Sequence, residues 1–215
     1  MQLAQLKVTI KGLFLALGVA GLVSCGSGDE AGGGGQCGGA EDSGVCLSVD
    51  FITPVDGGAG PLFTVDTIVS ADCDGDPATV DPEPGIFDHT ADVTFSAFLV
   101  NPAQTVVPTQ ITITNYDVSY QLAAGSADPG PVIPSRGGLR TAIVIPVGGT
   151  LVVVGPFALF DIAQKSDAAI GGAIAAGDHP SYIVTYVFRG QDDFGQNVDA
   201  IGSTLVNIGE YLQNC

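Results

Sequence analysis

The 215-residue chain carries 23 acidic against six basic side chains, a formal net charge of −17, with no tryptophan and five cysteines. So negative a surface argues against nucleic acid and anionic lipid as ligands, because phosphate contacts rest on lysine and arginine. It favours solubility and leaves divalent cations as a complementary ligand, although a solvated acidic exterior is the plainer reading.

In chain order, the first feature is an apolar run. Lys7 and Lys11 precede an uncharged stretch from Gly12 to Val23. A membrane-spanning helix needs about 20 apolar residues, whereas this run is nearer the roughly 7–15 of a signal-peptide core. It ends in Leu22-Val23-Ser24-Cys25, which resembles the lipobox of bacterial lipoproteins. An ordinary secretory signal with a chance cysteine, or an uncleaved anchor, are the other readings. The resemblance implies that residues 1–24 are a signal peptide. It also implies that the mature chain starts at Cys25, with diacylglyceryl on its sulfur and usually an acyl group such as palmitate on its nitrogen. Two or more chains hold a protein firmly to a bilayer, where one alone does not. Cys25 is then a lipidation site rather than a catalytic thiol. Gly26 follows it in place of the aspartate that favours inner-membrane retention, so an outer-membrane location is expected if the source is a diderm bacterium. Losing Lys7 and Lys11 with the signal moves the net charge from −17 to −19.

Residues 25–45 are glycine-rich and nearly free of large apolar groups, a composition that behaves as flexible coil and serves as a tether. Four cysteines remain after Cys25: Cys37, Cys46, Cys73 and Cys215. In an exported chain an even number reads as a disulfide framework. Cys37–Cys46 with Cys73–Cys215 is the preferred pairing among three; one bridge from Cys46 is the rival. Close Cys-x2–4-Cys spacing is absent, which argues against zinc.

The domain expected over residues 46–215 reads as short β-branched and aromatic runs between turn residues. Leu47, Val49 and Phe51 alternate with Ser48 and Asp50, a half-buried strand ending at Pro54. Phe63–Val69 is a second strand and residues 72–89 an acidic loop. Val93, Phe95, Ala97 and Leu99 alternate with Thr94 and Ser96, ending at Asn101-Pro102. Ile111 and Ile113 share one parity, but Tyr116, Val118, Tyr120 and Leu122 share the other. An unbroken apolar face therefore requires an extra residue, a β-bulge, near Asn115. Residues 124–138 read as an exposed loop, and Gly148-Gly149 as a turn between runs Ala142–Val147 and Leu151–Phe160. Asp161–Ala176 is the one plausible helix, capped by Asp161 and weakened by Gly171-Gly172. Tyr182–Arg189 and Val198–Ile208 flank a hairpin loop running from Gly190 to Asn197.

About eight strands with one helix indicate an all-β fold, an antiparallel β-sandwich, with a jelly roll as the alternative. The Tyr182–Arg189 strand, its hairpin and the return through Ile201 to Ile208 resemble the F–G hairpin of immunoglobulin-like and fibronectin-III-like domains of bacterial surface lipoproteins. The buried tryptophan of antibody domains has no counterpart here.

For chemistry, Asp72, Asp74, Asp76 and Glu83 match positions 1, 3, 5 and 12 of an EF-hand calcium loop. Pro77 stands where that loop needs glycine, and no flanking helices are expected. Asp192-Asp193 is a lesser cation candidate. His89 and His179 each follow an aspartate, but a Gly-x-Ser-x-Gly nucleophile elbow is missing. Phosphate-loop, dinucleotide, haem and His-Glu-x-x-His motifs are missing too. Arg136, Arg140 and Arg189 are expected to satisfy nearby aspartates rather than bind an anion. Tyr116, Tyr120, Tyr182, Tyr186 and Tyr211 offer a sugar-stacking surface, with core packing of the four in strands taking precedence. The leading expectation is thus a non-enzymatic, lipid-anchored cell-envelope module that binds or scaffolds a protein partner. A calcium-dependent carbohydrate-binding or adhesion module is the alternative, and a histidine-based hydrolase the second.

Overall fold

The computed structural model describes residues 36–38, 43–55, 64–66, 88–103, 105–126, 133–165 and 180–209. The strands are β1 (Gln36–Gly38), β2 (Val45–Val55), β3 (Thr64–Asp66), β4 (His89–Leu99) and β5 (Gln110–Leu122), then β6 (Arg136–Pro146), β7 (Val152–Phe160), β8 (Ser181–Asp192) and β9 (Asn197–Gly209). A four-residue helix α1 (Ile162–Lys165) follows β7. One sheet is ordered β1-β9-β8-β5-β6, with β3 also on β9; the other is β2-β4-β7. They face each other as an all-β sandwich. Lettered in order, β2, β4, β7 stand as A, B, E against β5, β8, β9 as C, F, G, the immunoglobulin strand order. The fourth strand, β6, joins the edge of β5 rather than that of β7. One pairing departs from the antiparallel expectation: β3 runs parallel to β9.

Alternation explains most of the burial. On β4, Ala91, Val93, Phe95 and Ala97 are fully buried; on β8, Tyr182, Val184, Tyr186 and Phe188 point inward. The expected bulge in β5 is present, since its register with β8 slips between Ile113 and Asn115. Thr114 is the extra residue, and Ile111, Ile113, Tyr116 and Val118 all reach the core. A second bulge, between Val49 and Phe51 of β2, inverts the parity there. Phe51 is consequently 56% exposed rather than inward, and Ile52 takes the core position.

Phe188 lies at the middle of the ring cluster. Its centroid is 4.9 Å from Phe95, 5.1 Å from Phe157 and 5.8 Å from both Tyr116 and Tyr186. The first two approaches are edge-on, the geometry that the aromatic quadrupole favours. Tyrosine hydroxyls of the larger sheet then cross to the backbone of β7. Tyr186 Oη donates to Ala158 O at 3.0 Å, Ala158 N donates to Tyr116 Oη at 3.1 Å, and Tyr120 Oη donates to Leu159 O. Burial pushes the Tyr120 hydroxyl up to about 12 and that of Tyr186 well above its ordinary value. Both therefore remain protonated donors. β7 is an edge strand, and unpaired edge N–H and C=O groups invite another chain; here Ala158 has neither free.

Other expectations need correcting. Residues 124–138 are not wholly an exposed loop, because Ile133 is buried and Arg136–Gly138 begin β6. The expected Gly148-Gly149 turn is present and joins strands of different sheets. The final hairpin loop is shorter than expected, since strand pairing continues to Gln191↔Asn197. Of the expected Asp161–Ala176 helix, Ile162–Lys165 is helical and residues 166–179 lie outside the described ones. Its start is a reciprocal cap: Gln164 N donates to Asp161 Oδ1 at 2.8 Å, and Asp161 N donates to Gln164 Oε1 at 3.1 Å, as in a capping box.

Candidate functional site

The β4–β5, β6–β7 and β8–β9 connections meet at one end of the sandwich. Asp192 N donates to Gln196 O at 3.0 Å, and Gly195, at φ +81°, supplies the left-handed residue that closes the turn. Asp192 Oδ1 accepts from Phe194 N and Gln196 N, both at 2.9 Å. The neighbouring carboxylate crosses to the β4–β5 loop, where Asp193 Oδ2 accepts from Thr109 N at 3.0 Å and Thr109 Oγ1 at 2.7 Å. The Thr109 hydroxyl, and then its N–H, hold the Asp193 carboxyl below its ordinary range. The third loop is tied in by Val147 N to Thr109 O, and by Gly148 N and Gly149 N to Ala97 O, at 2.8–2.9 Å. Backbone and carboxylate contacts thus fix three loops as one tip. Large apolar side chains project from it: Val100 (54% exposed), Val106 (69%), Leu151 (60%) and Phe194 (54%).

At the opposite end the described residues include several polar contacts beside exposed Val55 and Ile162. Arg136 pairs with Asp161, Ile162 N donates to Asp88 Oδ1 at 2.8 Å, and Gln164 Nε2 donates to Pro134 O at 3.2 Å. Asp66 ends β3 and Asp88 directly precedes β4, so both lie at this end.

Most polar candidates have structural work to do. Asp192 fixes its own hairpin and Asp193 ties that hairpin to the β4–β5 loop, and among the described residues no group of three or more His, Cys, Asp or Glu side chains is placed to hold a metal. Arg136 and Arg189 satisfy aspartates as expected, Arg189 reaching Asp117 Oδ2 at 2.6 Å. Arg140 stands opposite Asn115. His89 is buried at the start of β4. Tyr116, Tyr182 and Tyr186 are core residues, and Tyr120 packs against the core. Cys46 is buried and disulfide-bonded. Cys25, Asp72, Cys73, Asp74, Asp76, Glu83, His179, Tyr211 and Cys215 lie outside the described residues, as does the side chain of Cys37. Sequence reasoning missed the apolar tip. Its signal was large apolar residues inside turn segments, Val100 before Asn101-Pro102 and Phe194 between Asp193 and Gly195.

Asp117 joins three strands: its Oδ1 accepts from Gly138 N at 2.7 Å and its Oδ2 pairs with Arg189. The Gly138 N–H first, then Arg189, hold its carboxyl below the ordinary 3.8. A depressed carboxylate stabilises the fold above its unfolded pKa, and that contribution is lost as pH falls through the folded value. Asp117→Asn should therefore lower Tm at neutral pH, with the gap to wild type closing below about pH 4. Thermal melts of both proteins from pH 7 to pH 2 check this.

Fold and tip together define a two-sheet β-sandwich module with an apolar loop end. Comparisons with protein-family models, curated proteins and solved structures return no match. Among the described residues no helix is long and apolar enough to cross a membrane.

Proposed function

We propose that this chain is an exported, lipid-anchored cell-envelope module that binds or scaffolds a protein partner without catalysing a reaction. The observation that carries the reading is Leu22-Val23-Ser24-Cys25 at the end of a short apolar run, followed by the glycine-rich tether. The disulfide at Cys46 supports export, because such bonds persist in oxidising compartments. Cys37 is its proposed partner: β1 lies against β2 and the two cysteines are close in sequence. A binding role is supported by where Arg136, Arg189, Asp192 and Asp193 go, each holding structure rather than converging on a reaction centre.

Cys25→Ala is the direct test. In a diderm host that processes lipoproteins, the wild-type chain is expected in the membrane fraction, its amino-terminal peptide heavier by the mass of the acyl groups. The variant should lose that mass and leave the membrane. An unmodified Cys25 in wild-type cells would end the anchor reading. Crosslinking in intact cells then identifies the partner, and non-reducing peptide mapping tests the Cys37–Cys46 bridge.

A further inference from the structure

We infer that the glycine run of the tether, Gly32–Gly35, docks on the open edge of β9 as a continuation of β1, so that the tether has a docked and a free form. β8 takes one edge of β9. The other edge is shared by two three-residue strands, β1 opposite Asp199–Ile201 and β3 opposite Asn207–Gly209. Between them, among the described residues, no strand pairs with Gly202–Val206 on that side. Ile208 N donates to Pro180 O, toward β8. By strand alternation Ser203 and Leu205 therefore turn their N–H and C=O groups to the open edge. Unpaired edge groups of this kind are a template for another strand.

Register names the occupant. β1 is antiparallel to β9, with Gln36 opposite Ile201 and Gly38 opposite Asp199, so the chain reaches Gln36 from the Gly209 end. Continuing that register backwards puts Gly35, Gly34, Gly33 and Gly32 opposite Gly202, Ser203, Thr204 and Leu205. Gly34 and Gly32 then exchange N–H···O bonds with Ser203 and Leu205. Glycine suits the place. Gly33 and Gly35 share the inward parity of Ala200 and Gly202, and β2 stands so close there that a Cβ on Gly202 would lie 2.4 Å from Val49 Cγ1 and 3.0 Å from Ile52 Cδ1. A strand without side chains passes where another backbone is this near. β3 does not fill the gap from its own side, because Pro61 lacks an N–H and stops a parallel extension before Thr204. Glycine loses more freedom on ordering than other residues, which keeps docking reversible. The consequence for the membrane rests on the lipid-anchor reading: docking cuts the free tether after Cys25 from eleven residues to seven. Its root-mean-square span falls from about 17–20 Å to about 13–16 Å, which holds the domain nearer the bilayer.

Proline placement tests the docking whether or not Cys25 carries lipid. In the docked strand the N–H groups of Gly32 and Gly34 face β9 and that of Gly33 faces away, so proline breaks the ladder at 32 or 34 and is tolerated at 33. Wild type, Gly32→Pro, Gly33→Pro and Gly34→Pro are prepared as full chains in detergent, and amide hydrogen exchange is followed by NMR. The core amide of Phe188 shows that each variant is folded. The expected result is slow exchange at Ser203 and Leu205 in wild type and in Gly33→Pro, and exchange roughly tenfold faster in Gly34→Pro. Gly32→Pro should release Leu205 more than Ser203. Open-chain exchange at both amides in wild type, or equal losses in Gly33→Pro and Gly34→Pro, would overturn the docking. Protection that none of the three variants alters would give the edge to another segment or a second copy and overturn it too. The mass of the amino-terminal peptide, read on the same samples, decides the anchor separately.

Discussion

Truncating Phe188 to alanine is expected to lower the unfolding free energy by about 3–5 kcal/mol, the usual cost of deleting a buried aromatic ring. Phe188 is fully buried and touches rings on three other strands: Phe95 of β4, Phe157 of β7 and Tyr116 of β5. Its removal opens a cavity between the sheets, where the surrounding strands are tied by hydrogen bonds and close only partly. The Tyr116 and Tyr186 hydroxyls, held to Ala158 beside this cluster, resist the same collapse. Phe51→Ala is the matched control. Its ring points to solvent because of the β2 bulge, and the same truncation should change stability by no more than about 0.5 kcal/mol. Urea unfolding of both variants decides the matter; equal losses would mean that the β2 register is wrong.

The second large effect belongs to Gly190. It faces Ile113 at the point where Thr114 is inserted, and a Cβ there would stand 2.4 Å from Thr112 O and 2.9 Å from Ile113 Cα. These are backbone atoms of the neighbouring strand, which cannot turn aside as a side chain can. Gly190→Ala should therefore cost about 3 kcal/mol, at the upper end for overpacking. The added methyl must force the two central strands apart or erase the bulge. Gly195→Ala, in the hairpin, meets nothing within 4 Å but sits at φ +81°; its cost is the left-handed backbone alone, about 1–2 kcal/mol. Urea midpoints for the two variants should fall in that order. A near-neutral Gly190→Ala would place the extra residue of β5 elsewhere.

The bulge was legible in the sequence because Ile111 and Ile113 sit on one parity and Tyr116 and Val118 on the other, with only polar residues between. The β2 bulge was not, since Phe51 and Ile52 are adjacent and apolar and each parity offers a plausible core residue. Turn chemistry located Gly148-Gly149 correctly, but a glycine pair says nothing about whether the chain returns within a sheet or crosses to the other. The inward placement of Tyr116, Tyr182 and Tyr186 followed from alternation. Their hydroxyl partners on β7 did not, because contacts between sheets leave no local pattern. The apolar tip was hidden for a related reason: Val100, Val106, Leu151 and Phe194 are separated in sequence and adjoin only once three loops are tied together.

The tyrosine contacts with β7 also bear on how copies of the molecule behave when packed side by side. Strand-to-strand zipping between neighbours needs a donor and an acceptor in step along an open margin. At Ala158 both positions are already taken from within. Two domains pressed together along that margin find the ladder interrupted at Ala158.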